Sequence, residues 1–213
     1  VVLSPDASTA WVSNGGGRHP TPDDQQADSS GTAVVVDERG VGASGTVSLI
    51  DLASGASIAE LPTGLHPTDL LLNRDGSRLF VANANADTVS VINTTTRRVL
   101  QELPVRPDPK LPFGSAPNGL AMNSDESRLF VANGGNNAIA VVSLEDPDAY
   151  RVIGFLPTAW YPAGLAWQND HLYVANVKGL GSRKDKPEND GRSVYDFLGT
   201  INRIPASALD HLA

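Results

Sequence analysis

This chain repeats itself, and that single fact restricts its fold more than any other. Residues 67–83 read PTDLLLNRDGSRLFVAN and residues 117–133 read PNGLAMNSDESRLFVAN. Residues 162–176 read PAGLAWQNDHLYVAN, two residues shorter, and residues 1–14, VVLSPDASTAWVSN, carry the same pattern without its opening proline. The closing asparagine falls at Asn14, Asn83, Asn133 and Asn176, at spacings of 69, 50 and 43 residues. A basic period of 40–50 residues is that of a repeat architecture, in which each unit is one supersecondary element that cannot cover its own apolar faces and must stack on its neighbours.

Period-two alternation and turn chemistry divide each unit into four strands. The first is Leu70 to Leu72, Leu120 to Met122 or Leu165 to Trp167, ending in a polar turn such as Asn73-Arg74-Asp75-Gly76. The second is Arg78 to Ala82 or Arg128 to Ala132; the third is TVSLI (46–50), TVSVI (88–92) or AIAVV (138–142). The fourth is Ile58 to Leu61, Val99 to Leu103 or Val152 to Leu156. Four short strands per 40-odd residues make a β-propeller blade, so the expected fold is all-β, built from four-stranded antiparallel blades. Twenty Gly, 15 Pro and one Met suit a strand-and-turn chain.

Among known families the units resemble YVTN-type β-propeller repeats, relatives of WD40 blades, through LFVAN, LFVAN and LYVAN at the end of the second strand. A narrower resemblance lies in GFLPTAWYPAGLAW (154–167), LYVANVKGLGSR (172–183) and LGTINRIP (198–205). That succession is similar to the propeller half of bacterial proteins in which a YVTN propeller precedes an alkaline-phosphatase-like phosphoesterase domain. The resemblance implies a ring of about seven blades, of which this chain supplies an incomplete arc of about four. The units run over about 1–66, 67–116, 117–161 and 162–205, with inserted loops at 15–45 and 177–199, and 206–213 opens a linker or helix. It also implies a fragment of a longer protein exported to the periplasm, cell surface or exterior, with neighbouring blades and a phosphoesterase domain as partners.

Charge and composition remove several function classes. Sixteen Lys plus Arg against 24 Asp plus Glu leave a net charge of −8, which disfavours nonspecific binding to nucleic acid. No apolar run is long enough to span a membrane. The absence of cysteine excludes disulfides, thiolate metal sites, a cysteine nucleophile and covalent haem attachment. No cofactor is expected. GxSxG is absent, and His19, His66, His171 and His211 lack partners at motif spacing, so no catalytic residue is assigned.

In a blade of alternating strands, the loop between strands two and three and the connection to the next blade leave from one face. The second-to-third loop has four residues in the middle units but 31 at 15–45 and 23 at 177–199, and insertions in repeat proteins gather on a binding face. In the first insertion, His19, Asp23, Asp24 and Asp28 do not follow the alternation of a metal loop, so a solvated or partly folded loop is expected and no metal is assigned; its inner TAVVV can pair as an extra strand. The second insertion carries Lys178, Arg183, Lys184 and Lys186 around Gly179 and Gly181, a basic Gly-rich stretch able to attract an anion. Trp160 and Tyr161 lie in the connection before the fourth unit, with Phe113 in the corresponding earlier one. Aromatic residues there can stack on a sugar or fill wedges between blades.

Trp160, Tyr161, Lys178, Arg183, Lys184 and Lys186 are therefore the candidate binding face, for an anionic small molecule, a glycan or the adjoining domain. Trp11, Phe80, Phe130 and Tyr173 share one repeat position and are expected in the core; the four closing asparagines are expected to cap turns. The functional expectation is a non-catalytic scaffold and binding module. Two alternatives stand beside it. A lactonase-like hydrolase would need carboxylate and His ligands from several inner strands, where Asp69 and Asn118 are the main polar groups. The other is a structural surface-layer repeat protein.

Overall fold

The computed structural model describes residues 1–181 and 197–212. The chain is all-β and divides into two compact units, Val1–Pro117 and Asn118–Ala213. The first unit holds two four-stranded antiparallel sheets. One consists of β1 (Val2–Leu3), β2 (Thr9–Asn14), β5 (Thr46–Asp51) and β6 (Ser57–Pro62) in that order. The other runs β7 (Pro67–Leu72), β8 (Arg78–Asn83), β9 (Thr88–Asn93), β10 (Arg98–Pro104). Between β2 and β5, strands β3 (Gln26–Ser29) and β4 (Thr32–Val35) form a separate hairpin. The pairing of Thr32–Val35 gives the inserted segment order, and a bidentate Arg18–Asp24 ion pair at 2.6 Å adds to it.

The second unit holds a four-stranded sheet, β11 (Pro117–Met122), β12 (Arg128–Asn133), β13 (Ala138–Ser143), β14 (Arg151–Pro157), and a three-stranded one, β15 (Trp160–Gln168), β16 (His171–Gly179), β17 (Thr200–Pro205). A 3-10 helix over Ala206–His211 follows.

The turns explain why the repeats pair as they do. Asn73 Oδ1 accepts the Arg78 N–H at 2.8 Å, and Asp75 Oδ1 accepts the Ser77 N–H at 2.9 Å. Asn123, Asp125, Ser127 and Arg128 repeat this arrangement at 2.8 and 3.0 Å. The fourth repeat is two residues shorter because Asn169 and Asp170, both at positive φ, close a two-residue turn between the paired Gln168 and His171. The outer strands share a bulge: Ile58, Leu100 and Ile153 fall where the register with the third strand shifts.

Within each unit the two sheets pack face to face. Trp11, Val47 and Leu49 meet Leu70, Leu79, Val81 and Ile92 in the first. In the second, Phe130, Ala132, Ile139 and Val141 meet Leu172 and Val174, and the Trp167 indole stacks on Phe130 with centroids 5.2 Å apart and planes within 7°. Trp11, Phe80 and Phe130 are buried as their repeat position requires. Tyr173 is not: it lies half-exposed, because Leu172 and Val174 turn inward and the alternation puts Tyr173 on the opposite face, with the 74% exposed Ile201.

The closing asparagines, expected to cap turns, instead bond across strands, and Asn133 makes no side-chain cap to the turn that follows it. Asn83 Nδ2 donates to Thr88 Oγ1 (3.0 Å) and Ser90 Oγ (2.8 Å), and these hydroxyls donate to Glu102 at 3.1 and 2.5 Å. Asn14 likewise donates to Thr46 and Ser48, and Thr46 donates to Glu60, a similar ladder across three strands. In the third repeat its hydroxyl positions are Ala138 and Ala140, and Phe155 stands where the glutamate would be, opposite Ala140.

Candidate functional site

The connection from β14 to β15 is built around Asn137, which takes the left-handed conformation just before β13. Its carbonyl accepts the Thr158 N–H at 2.9 Å, and its Oδ1 accepts the Tyr161 N–H at 3.0 Å. Tyr161 is itself left-handed (φ 62°), a conformation held by that bond against the extended preference of a residue that precedes proline. Gly134 makes room for it: a Cβ there would lie 3.0 Å from the Tyr161 ring.

On the facing strand, Gly179 pairs with Trp160. Gly179 has φ 51°, and a Cβ there would run into the Leu198 carbonyl oxygen, so only glycine fits. This close passage brings Lys178 against the aromatic residues. Its ammonium lies 5.1 Å from the Tyr161 ring centroid, 5.3 Å from Trp160 and 5.7 Å from Phe197, all within cation–π reach. Trp160 and Phe197 meet edge to face, with centroids 6.3 Å apart and planes at 78°. Trp160 remains 43% exposed. Among the described residues no carboxylate pairs with Lys178.

Three residues singled out from the sequence, Trp160, Tyr161 and Lys178, thus form one cluster. Arg183, Lys184 and Lys186 lie outside the described residues. Phe197 completes the cluster and escaped sequence reasoning, since it lies outside the repeat pattern; Asn137 and Gly134 escaped it too, although the NGGNN run after β12 marks a turn.

The first unit carries a related device at its own connection. Asp87, 2% exposed, accepts the Gly114 and Ala116 N–H groups at 3.0 and 3.2 Å and stands 3.9 Å from Arg106 Nε. The Arg106 guanidinium lies 4.6 Å from the ring centroid of Phe113, which is 68% exposed. In the insertion, Asp24 is engaged by Arg18 and Thr21, whose hydrogen bonds hold its carboxyl well below the usual range. Among the described residues no group of three or more His, Asp or Glu side chains comes together as a metal site.

No protein-family model matches the chain, and no curated protein matches it in sequence. Solved structures match its fold. Hydrazine synthase of Kuenenia stuttgartiensis superposes with a TM-score of 0.62 at 18% identity, over 97% of this chain and 45% of that one. A Bacteroides uniformis protein described as a putative 6-phosphogluconolactonase gives 0.57 at 14% identity, over 83% and 49%. A luciferin-regenerating enzyme gives 0.56 at 13% identity, over 95% and 59%. These are β-propeller-type folds, and the chain spans about half the length of the structures it matches. At such identities the likeness concerns the fold alone.

Proposed function

We propose that this chain is a β-propeller binding module whose ligand face is the Trp160, Tyr161 and Lys178 cluster, and that the ligand is an anionic sugar or an anionic surface of the adjoining part of the same protein. The observation that carries this reading is the lysine ammonium held among three rings with no carboxylate partner among the described residues, next to a Trp that is 43% exposed. An exposed indole offers a stacking face for a pyranose, and the cation beside it attracts carboxylate or phosphate. Arg183, Lys184 and Lys186 extend the basic stretch in sequence. The LGTINRIP resemblance supports a YVTN-type propeller beside a phosphoesterase domain outside these residues, exported to the periplasm or cell surface.

An oligouronate titrated into the chain at two ionic strengths tests the reading. Charge attraction weakens with salt and stacking does not. Lys178→Ala is expected to remove salt-dependent affinity, and Trp160→Ala the residue that survives salt. Equal binding by both folded variants and the unmodified chain would refute the assignment.

A second reading, a lactonase-like propeller hydrolase, draws support from the likeness to the Bacteroides uniformis protein and the luciferin-regenerating enzyme. It requires carboxylate or His ligands from other strands of the full-length protein to join Asp69 and Asn118. Metal-dependent lactone hydrolysis by that protein, abolished by Asp69→Ala, would favour it over the binding module.

A further inference from the structure

We infer that Trp160, Tyr161 and Phe197 form a receptor for organic ammonium cations, that its ligand is a trimethylammonium head group, and that Lys178 is its resident competitor. The three rings surround one point at 5.1–5.7 Å, the spacing at which ring quadrupoles attract a cation. They approach from different directions, since Trp160 and Phe197 stand at 78°. Two walls are fixed by backbone: Tyr161 by Asn137, and Trp160 by pairing with Gly179. The occupant is held less firmly. A primary ammonium carries three N–H donors, and ring faces are poor acceptors for them, so a lysine there gives up strong hydration. A quaternary ammonium has no N–H to satisfy and is weakly hydrated, so the same walls suit it better. The exposure of Trp160 leaves a way in, and the four-carbon lysine stem gives a way out. This inference uses the same cluster as the anionic reading and is tested separately from it, because its probe is a small cation.

Tetramethylammonium chloride is the probe, titrated by calorimetry into the unmodified chain, Lys178→Ala and Lys178→Ala/Trp160→Ala, with neutral neopentyl alcohol as the uncharged comparison. Lys178→Ala is expected to bind the cation about tenfold more tightly than the unmodified chain, the scale of one desolvated cation–π contact. Trp160→Ala in that background is expected to abolish the gain, and the alcohol to bind at least about tenfold more weakly. The unmodified chain gives a second readout that needs no substitution. Ring currents shift the Lys178 Cε protons upfield, and excess tetramethylammonium should return them towards the position of a free lysine. The inference fails if the folded Lys178→Ala variant binds the cation no better than the unmodified chain, if the alcohol binds equally well, or if excess cation leaves the Lys178 resonance in place.

Discussion

Ser90→Ala tests the ladder that ties three strands of the second sheet together. Ser90 is fully buried; it accepts from Asn83 at 2.8 Å and donates to Glu102 at 2.5 Å. Removing the hydroxyl deletes the bond from Asn83, worth about 1 kcal/mol, a long one from the Gly64 N–H at 3.4 Å that adds little, and one to a carboxylate, worth about 1.5–3 kcal/mol when shielded. Glu102 is exposed and can turn to water, so the carboxylate contribution falls to about 1 kcal/mol, and Asn83 keeps its bond to Thr88 at 3.0 Å. The expected loss is about 2 kcal/mol, or a drop of about 4–8 °C in Tm for a chain of this length. The third repeat supplies the control, because Ala138, Ala140 and Phe155 occupy the ladder positions there. Thr88→Ala/Ser90→Ala/Glu102→Phe, which also takes away the second acceptor of the buried Asn83 amide, should cost more than the single change. Urea denaturation followed by circular dichroism measures both. A single variant within about 0.5 kcal/mol of the unmodified chain would refute the ladder as a source of stability.

Phe130→Ala removes a fully buried ring stacked on Trp167 and should destabilise the second unit by about 3–5 kcal/mol, read from the same denaturation curves. Hydrogen bonds from Ser4 and Ser8 lower the Asp6 carboxyl from its ordinary value near 3.8 to about 2. Because the folded value lies below the unfolded one, the stability this carboxylate contributes is complete above about pH 4 and is lost as the pH falls towards 2; a carboxyl NMR titration with its midpoint near 4 would contradict it. Gly179→Ala forces a Cβ into the Leu198 carbonyl oxygen from a left-handed backbone, so it should destabilise the chain by about 1–3 kcal/mol and release Lys178 from the rings, as NMR of its side chain would show.

The strands were legible because period-two alternation and the repeated Asn-x-Asp-x-Ser-Arg turn write each sheet almost residue by residue: TVSVI at 88–92 is the body of Thr88–Asn93. What escaped depended on through-space partners. Tyr173 carries the same local pattern as Phe130, but burial is decided by what packs on its face, not by the strand. The asparagine ladder needs the register of three strands, and one bulge at Ile58, Leu100 or Ile153 sets which outer residue faces the hydroxyl. Trp160, Tyr161 and Lys178 were individually visible in the sequence. Their meeting depends on left-handed Tyr161 and on Gly179, and neither conformation is encoded by a pattern; αL before a proline even runs against the local preference.

The aromatic enclosure of Lys178 is the claim from which the proposed site follows, and the chain's four lysines make it directly measurable. A carbon–proton correlation spectrum of the lysine Cε groups, with Lys178→Arg to assign the signal, should show Lys178 moved upfield by the rings of Trp160, Tyr161 and Phe197, and Trp160→Ala should move it back. Four lysine signals at the position of a free side chain, unchanged by Trp160→Ala, would contradict it.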